Sequence, residues 1–121
     1  MTAISDVYPC PWRRSDWTGN FISVDGTEAG DFTEADVSEV VAFGSSDPDD
    51  WDGDTAGIVR LYDGRFVSWE AFWGPTGNGF SRDAYGGESD LYFSASVESA
   101  RAALSEGARD LLAREDRKSV V

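Results

Sequence analysis

The most regular alternation of apolar and polar positions lies between residues 57 and 73. Over 57–62, Ile58, Arg60 and Tyr62 fall on one side of an extended chain, with Val59 and Leu61 on the other. Over 65–73, Phe66, Ser68, Glu70 and Phe72 alternate with Val67, Trp69, Ala71 and Trp73. A period of two marks a strand, because successive Cβ atoms point to opposite faces of a sheet. Asp63-Gly64 between the two runs predicts a two-residue type I′ hairpin, since glycine accepts a positive φ without steric cost.

The flanking pattern is less regular. Residues 1–32 carry no sustained period and are broken by Pro9, Pro11, Gly19, Gly26 and Gly30. Only 20–24 is strand-like there, and Trp12, Trp17 and Phe21 are expected to pin this arm to the core. Thr33-Glu34-Ala35-Asp36 has the hydroxyl and acids of a helix start. Val37, Val40, Val41 and Phe43 are β-branched or aromatic, however, and Gly44-Ser45-Ser46 ends the run, so the reading is a short turn and then a strand over 37–43. Asp47-Pro48-Asp49-Asp50-Trp51-Asp52-Gly53-Asp54 reads as a solvated acidic loop, and 74–89 as a long glycine-rich connection. Leu91-Tyr92-Phe93 forms a last strand, and Ser94 or Ser96 then caps a helix.

Val97, Ala100, Leu104, Ala108, Leu111 and Leu112 share one helical face. Gly107 interrupts that pattern at a cost of about 1 kcal/mol relative to alanine, and Ser105 is placed to begin a second, shorter helix. The layout is therefore one α+β domain over 1–121: an irregular arm (1–32), a small antiparallel sheet of three to five strands (33–96), a C-terminal helix (97–113) packed on one face, and a frayed tail (114–121).

Composition sharpens this picture. Of the 121 residues, 40% are hydrophobic and 13% aromatic, too apolar for a disordered acidic chain and sufficient for one modest core. The N-terminal segment has no continuous apolar run and is not read as a signal peptide, and no stretch is long enough to span a bilayer. The single cysteine, Cys10, cannot form an internal disulfide, which points to a reducing cytoplasm or to pairing between chains.

Charge changes the picture most. Twenty-three acidic residues oppose ten basic ones, a formal net charge of −13, with no histidine. Such a field repels phosphate backbones and anionic membranes, so direct nucleic-acid or membrane binding is not expected. Its complement is a basic protein surface. Acidic surfaces also serve solubility and salt tolerance, which need no partner.

Several motifs test for chemistry. Starting at Asp50, the alternation Asp50, Asp52, Asp54 fits a calcium loop, but Thr55 stands where that loop needs glycine and Leu61 where it needs glutamate. Gly44-Ser45 followed by acids is superficially like a nucleotidyltransferase site, without the intervening helix that would space the carboxylates. Zero histidines and one cysteine argue against a zinc site and remove the usual base of nucleophilic triads. Glu70 has the character of a general acid if buried among its aromatic neighbours, and of an ordinary outward strand residue if not. Gly74-Pro75-Thr76-Gly77-Asn78-Gly79 lacks the lysine and hydroxyl of a phosphate loop. No cofactor or metal is expected, and no catalytic constellation emerges.

The run DGRFVSWEAFWGPTGNGFSRDAYGGESDLYFSASVESARAALSEGARDLL, residues 63–112, resembles small uncharacterised accessory proteins of actinobacteria and their phages. In these a DG hairpin and a W-E strand lead through a glycine-rich loop to a further strand and a Leu/Ala helix. The resemblance covers the last two fifths of the chain. It implies an accessory role in a GC-rich host or virus and carries no catalytic residues across.

The expectation is thus a non-enzymatic acidic protein that engages a basic protein surface, for example a phage-encoded modulator or inhibitor of a host protein. Asp47, Asp49, Asp50, Asp52 and Asp54 would steer the encounter, and Trp51, Phe80 and Tyr85 would anchor it. The alternative is a structural or assembly subunit, such as a minor virion component.

Overall fold

A computed structural model describes residues 12, 20–30, 32–45, 53–73 and 90–119. Five strands, β1 (Phe21–Ser23), β2 (Val37–Ser45), β3 (Gly53–Leu61), β4 (Phe66–Trp73) and β5 (Leu91–Ser94), form one sheet in the order β1-β5-β4-β3-β2. Two helices follow, α1 (Val97–Ala102) and α2 (Glu106–Ser119). The fold is α+β, with the helices packed on the sheet: α1 lies against β3, β4 and β5, and α2 against β2 and β3.

The sheet is mixed, not purely antiparallel as expected. β2, β3, β4 and β5 are antiparallel neighbours, but β1 runs parallel to β5, with Phe21 opposite Leu91 and Ser23 opposite Phe93. Parallel pairing is available because the chain from β1 crosses the whole sheet before β5 is made.

Both faces of the sheet are covered, and this explains why Ile58 and Val59, adjacent in sequence, are each fully buried. On the helix side Ala42, Ala56 and Ile58 meet Ala100, Leu104, Ala108, Leu111 and Leu112, joined by Val41, Phe66 and Tyr92. On the other side Val37, Val59, Leu61, Val67, Trp69, Leu91 and Phe93 meet Phe32, with Trp12, Phe21 and Ala29 packed against them. The rings of Phe21 and Phe32 each meet Phe93 edge-on, at 5.6 and 5.9 Å between centroids. Trp12 and Phe21 thus pack against this core as expected; Trp17 lies outside the described residues.

The turn before β2 is a single 3-10 turn over Glu34–Asp36, closed by the Asp36 carboxylate, which accepts from the Thr33 N–H at 2.8 Å and its hydroxyl at 3.2 Å. The β3–β4 hairpin differs from the type I′ expectation. The Gly64 N–H donates to Leu61 O (3.0 Å) and the Leu61 N–H to Arg65 O (2.8 Å). Gly64 has φ of 95°, and no described non-glycine residue has a positive φ. This is a type I turn through Tyr62-Asp63 with Gly64 as a left-handed bulge residue, so three residues make the loop.

The helix laid out over 97–113 is two helices, the second opened by Ser105 as expected but longer, not shorter, than the first and running on through the expected frayed tail. Ser96 caps α1 by accepting from the Ser99 N–H at 3.1 Å. Ser105 opens α2, accepting from the Ala108 N–H at 3.2 Å on its hydroxyl and from the Arg109 N–H at 3.0 Å on its carbonyl. Gly107 sits in the first turn of α2, where it does little harm. α2 is the longer helix and continues to Ser119. β3 begins at Gly53, so Asp54 belongs to a strand and not to the acidic loop.

Candidate functional site

Of the residues singled out for partner binding, Asp47, Asp49, Asp50, Trp51, Asp52, Phe80 and Tyr85 lie outside the described residues, as does the glycine-rich connection 74–89. Asp54 lies in β3, in register with Phe72 of β4. The strand directions set where the two connections attach. β2 ends at Ser45 and β3 begins at Gly53; β4 ends at Trp73, directly opposite Gly53; β5 begins at Leu91. Antiparallel pairing puts these four ends at one pole of the sheet. Segments 46–52 and 74–89 both leave from that pole.

Near it lies Glu70, neither a buried general acid nor an outward strand residue. It faces the helices, and its carboxylate accepts from the Ser105 N–H at 2.7 Å and from the Ser105 hydroxyl at 2.9 Å. Ser105 in turn caps α2, so Glu70 is committed to holding the joint between α1 and α2 on β4. Tyr92 pairs with Ser68 across β4 and β5. Its phenol is held above the ordinary value of 10.0, first by burial and then by the negative charges of Asp90 and Glu70. Asp90 itself accepts from the Asn20 N–H at 3.2 Å. This corner is a structural clasp, with its carboxylates occupied by backbone and hydroxyl donors. Among the described residues no group of three or more His, Cys, Asp or Glu side chains is placed to hold a metal ion.

The opposite pole carries an acidic surface that sequence reading did not single out. Tyr62 at the hairpin tip is 76% exposed. Its N–H donates to Asp36 O at 2.9 Å, which ties the tip to the turn before β2. Asp63 accepts from the Arg65 N–H at 3.0 Å and from Arg65 Nε at 2.8 Å. These two partners act on its carboxyl with the backbone donor first, and hold it below the ordinary 3.8 against a smaller opposing effect of burial. Arg65 also donates to Glu28 O at 3.0 Å and lies 5.5 Å over the Phe93 ring. Asp25 accepts from Thr27 and from the Ala95 N–H, and its carboxyl is likewise lowered. Arg60 meets Glu39 at 3.4 Å. Among the described residues, the segments 25–39 and 60–65 that meet near this pole carry six acids (Asp25, Glu28, Glu34, Asp36, Glu39, Asp63) and two arginines, Arg60 and Arg65. The available signal was the aromatic residue immediately before Asp63-Gly64.

No helix among the described residues is long and apolar enough to cross a membrane. Comparison of the chain with protein-family models, with curated proteins and with solved structures finds no match.

Proposed function

We propose that this chain is a non-enzymatic accessory protein that binds a basic surface on another protein, in the cytoplasm of an actinobacterial host, as a phage-encoded or host-encoded modulator or inhibitor. The observation that carries the reading is the net charge of −13 on a folded chain. At neutral pH such a field accelerates encounters with cationic partners, and aromatic side chains that become buried on contact set the lifetime of the complex. Support comes from the attachment of the acidic segment and the segment holding Phe80 and Tyr85 to one pole of the sheet. Direct nucleic-acid binding is disfavoured by the same charge.

The test is affinity capture from an actinobacterial lysate, compared with a variant in which Asp47, Asp49, Asp50, Asp52 and Asp54 are changed to Asn. A basic protein retained by the natural chain, released by salt and lost from the variant supports the reading. Retention that is indifferent to salt and to the five substitutions overturns it. A structural or assembly role is the second reading, favoured by β2 standing at the edge of the sheet among the described residues. Light scattering after size exclusion separates the two, since a stable homo-oligomer supports assembly and a monomer supports the modulator.

A further inference from the structure

β1 stands at the opposite side of the sheet from β2 and meets β5 over three residues, in parallel. The Leu91 N–H donates to Asn20 O at 2.8 Å, and the Val24 N–H to Phe93 O at 3.0 Å. Past each of these rungs a carboxylate takes over from the backbone. The Asn20 N–H donates to Asp90 Oδ1 at 3.2 Å, and the Ala95 N–H donates to Asp25 Oδ2 at 3.0 Å. Each side of the pairing thus supplies one acid, which holds an amide of the other side just beyond the last rung. An ionised acceptor makes a stronger bond than a carbonyl does. Burial contributes less here, since Ile22 and Val24 are 37% and 39% exposed, although Phe21 meets Phe93 edge-on.

A short strand with half-open side chains separates more readily than a long, buried ladder. β3 and β4 pair from Gly53 to Arg60 and bury Val59 and Val67 completely. We propose that residues 20–25 form a latch that swings off β5 and back as a unit while β2 to β5 stay paired, with the Asp25 carboxylate on the Ala95 N–H as the fastening that keeps it closed. Opening bares the outer edge of β5 and the part of Phe93 that Phe21 meets. The Thr27 contacts to Asp25 lie within one turn and travel with it, so of its bonds only the one to Ala95 breaks. The carboxyl of Asp25 is lowered first by the Thr27 hydroxyl and next by the Ala95 N–H. Among the described residues, the surrounding elements carry Glu28, Asp63, Arg65, Asp90, Tyr92, Glu98 and Arg101, and none of these is among the groups that shift it. The Ala95 share of that preference exists only in the closed form, so protonating Asp25 favours the open one.

Native-state amide exchange on the full chain, followed by NMR, reads the latch. Val24 and Leu91 report its rungs, and Val59 and Val67 report the β3–β4 ladder. At neutral pH the first pair should exchange at least about tenfold faster than the second, once intrinsic rates are divided out. Asp25→Ala should speed Val24 and Leu91 by about tenfold more and leave Val59 and Val67 within about twofold. Asp25→Asn keeps an oxygen acceptor without the charge, and should fall between the natural chain and Asp25→Ala. In the natural chain, protection of Val24 and Leu91 should decline ahead of Val59 and Val67 as pH falls through 3.8 and below. One common rate for all four amides, or an equal rise at all four in Asp25→Ala, means that β1 leaves only with the whole sheet and overturns the proposal. Unchanged exchange of Val24 and Leu91 in both variants overturns it as well, by removing Asp25 as the fastening. If Asp25→Ala does not fold, Asp25→Asn and the pH series decide by the same comparison.

Discussion

Gly57 and Trp69 sit opposite each other on β3 and β4, and the buried indole lies over the glycine backbone. A Cβ at residue 57 would fall 2.7 Å from Cη2 of Trp69 and closer still to Cζ2. A fully buried ring cannot swing away without disturbing its neighbours, so Gly57→Ala is expected to cost about 1–3 kcal/mol, read from urea denaturation. Glu70→Ala removes both acceptors of Ser105 and should cost about 1–2 kcal/mol, seen as a lowered melting temperature. Tyr92 gives a titration signature. Its raised pKa means that the folded chain resists ionisation, so the associated stability is complete below pH 10 and declines as pH rises through the folded value. Ultraviolet titration should show late ionisation of Tyr92, which moves earlier in Glu70→Gln as one nearby negative charge is lost. The sequence flagged Glu70 but not its partner, since Ser105 is thirty-five positions away and a helix cap from a distant strand leaves no local pattern.

At the level of elements, the hairpin shows how much a short motif can and cannot specify. Asp63-Gly64 located the turn correctly, but the dipeptide suits more than one loop. Here Asp63 stays at negative φ and grips Arg65, leaving Gly64 alone in the left-handed region. Gly64→Ala should therefore cost about 1–2 kcal/mol by the same denaturation measurement. Because the carboxyl of Asp63 is lowered, its contribution is present above pH 3.8 and is lost as pH falls through the folded value. Carboxyl-detected NMR titration should place its midpoint below 3.8. β2 was harder to read for a reason its register now supplies. The bulges at Ser38 and Val41 each insert an extra residue, and they bring Val37, Val40 and Phe43 to one face at intervals of three. That spacing imitates a helix, which is why the capping pattern at Thr33 competed with the strand reading. The break between the two helices was signalled only by Ser105 and Gly107. Val97 to Leu112 keeps one apolar face through the break at 103–105, so periodicity alone does not reveal it.

For the whole molecule, burial on both sides of the sheet was only half legible. The helix-facing layer follows from α2's periodic leucines and alanines, whereas the opposite layer is built from Phe32, Trp12 and Phe21, scattered through a segment with no period. The acidic excess was legible outright, but its distribution over the fold was not, because charge counts carry no positions. Repulsion among the excess carboxylates opposes compaction, so added sodium chloride should raise the melting temperature by a few degrees relative to low-salt buffer. A melting temperature that falls over the same range would contradict this.

The parallel pairing of β1 with β5 also orders events in time. The β3–β4 ladder closes across a three-residue loop, whereas Phe21 must find Leu91 after most of the intervening chain is in place. Refolding followed by pulsed deuterium labelling should therefore trap the amides of Val59 and Val67 early and those of Ile22 and Val24 last. β1, made before the other described strands, would then be the last of them to dock, and the rest of the sheet would wait for it with Leu91 and Phe93 still wet.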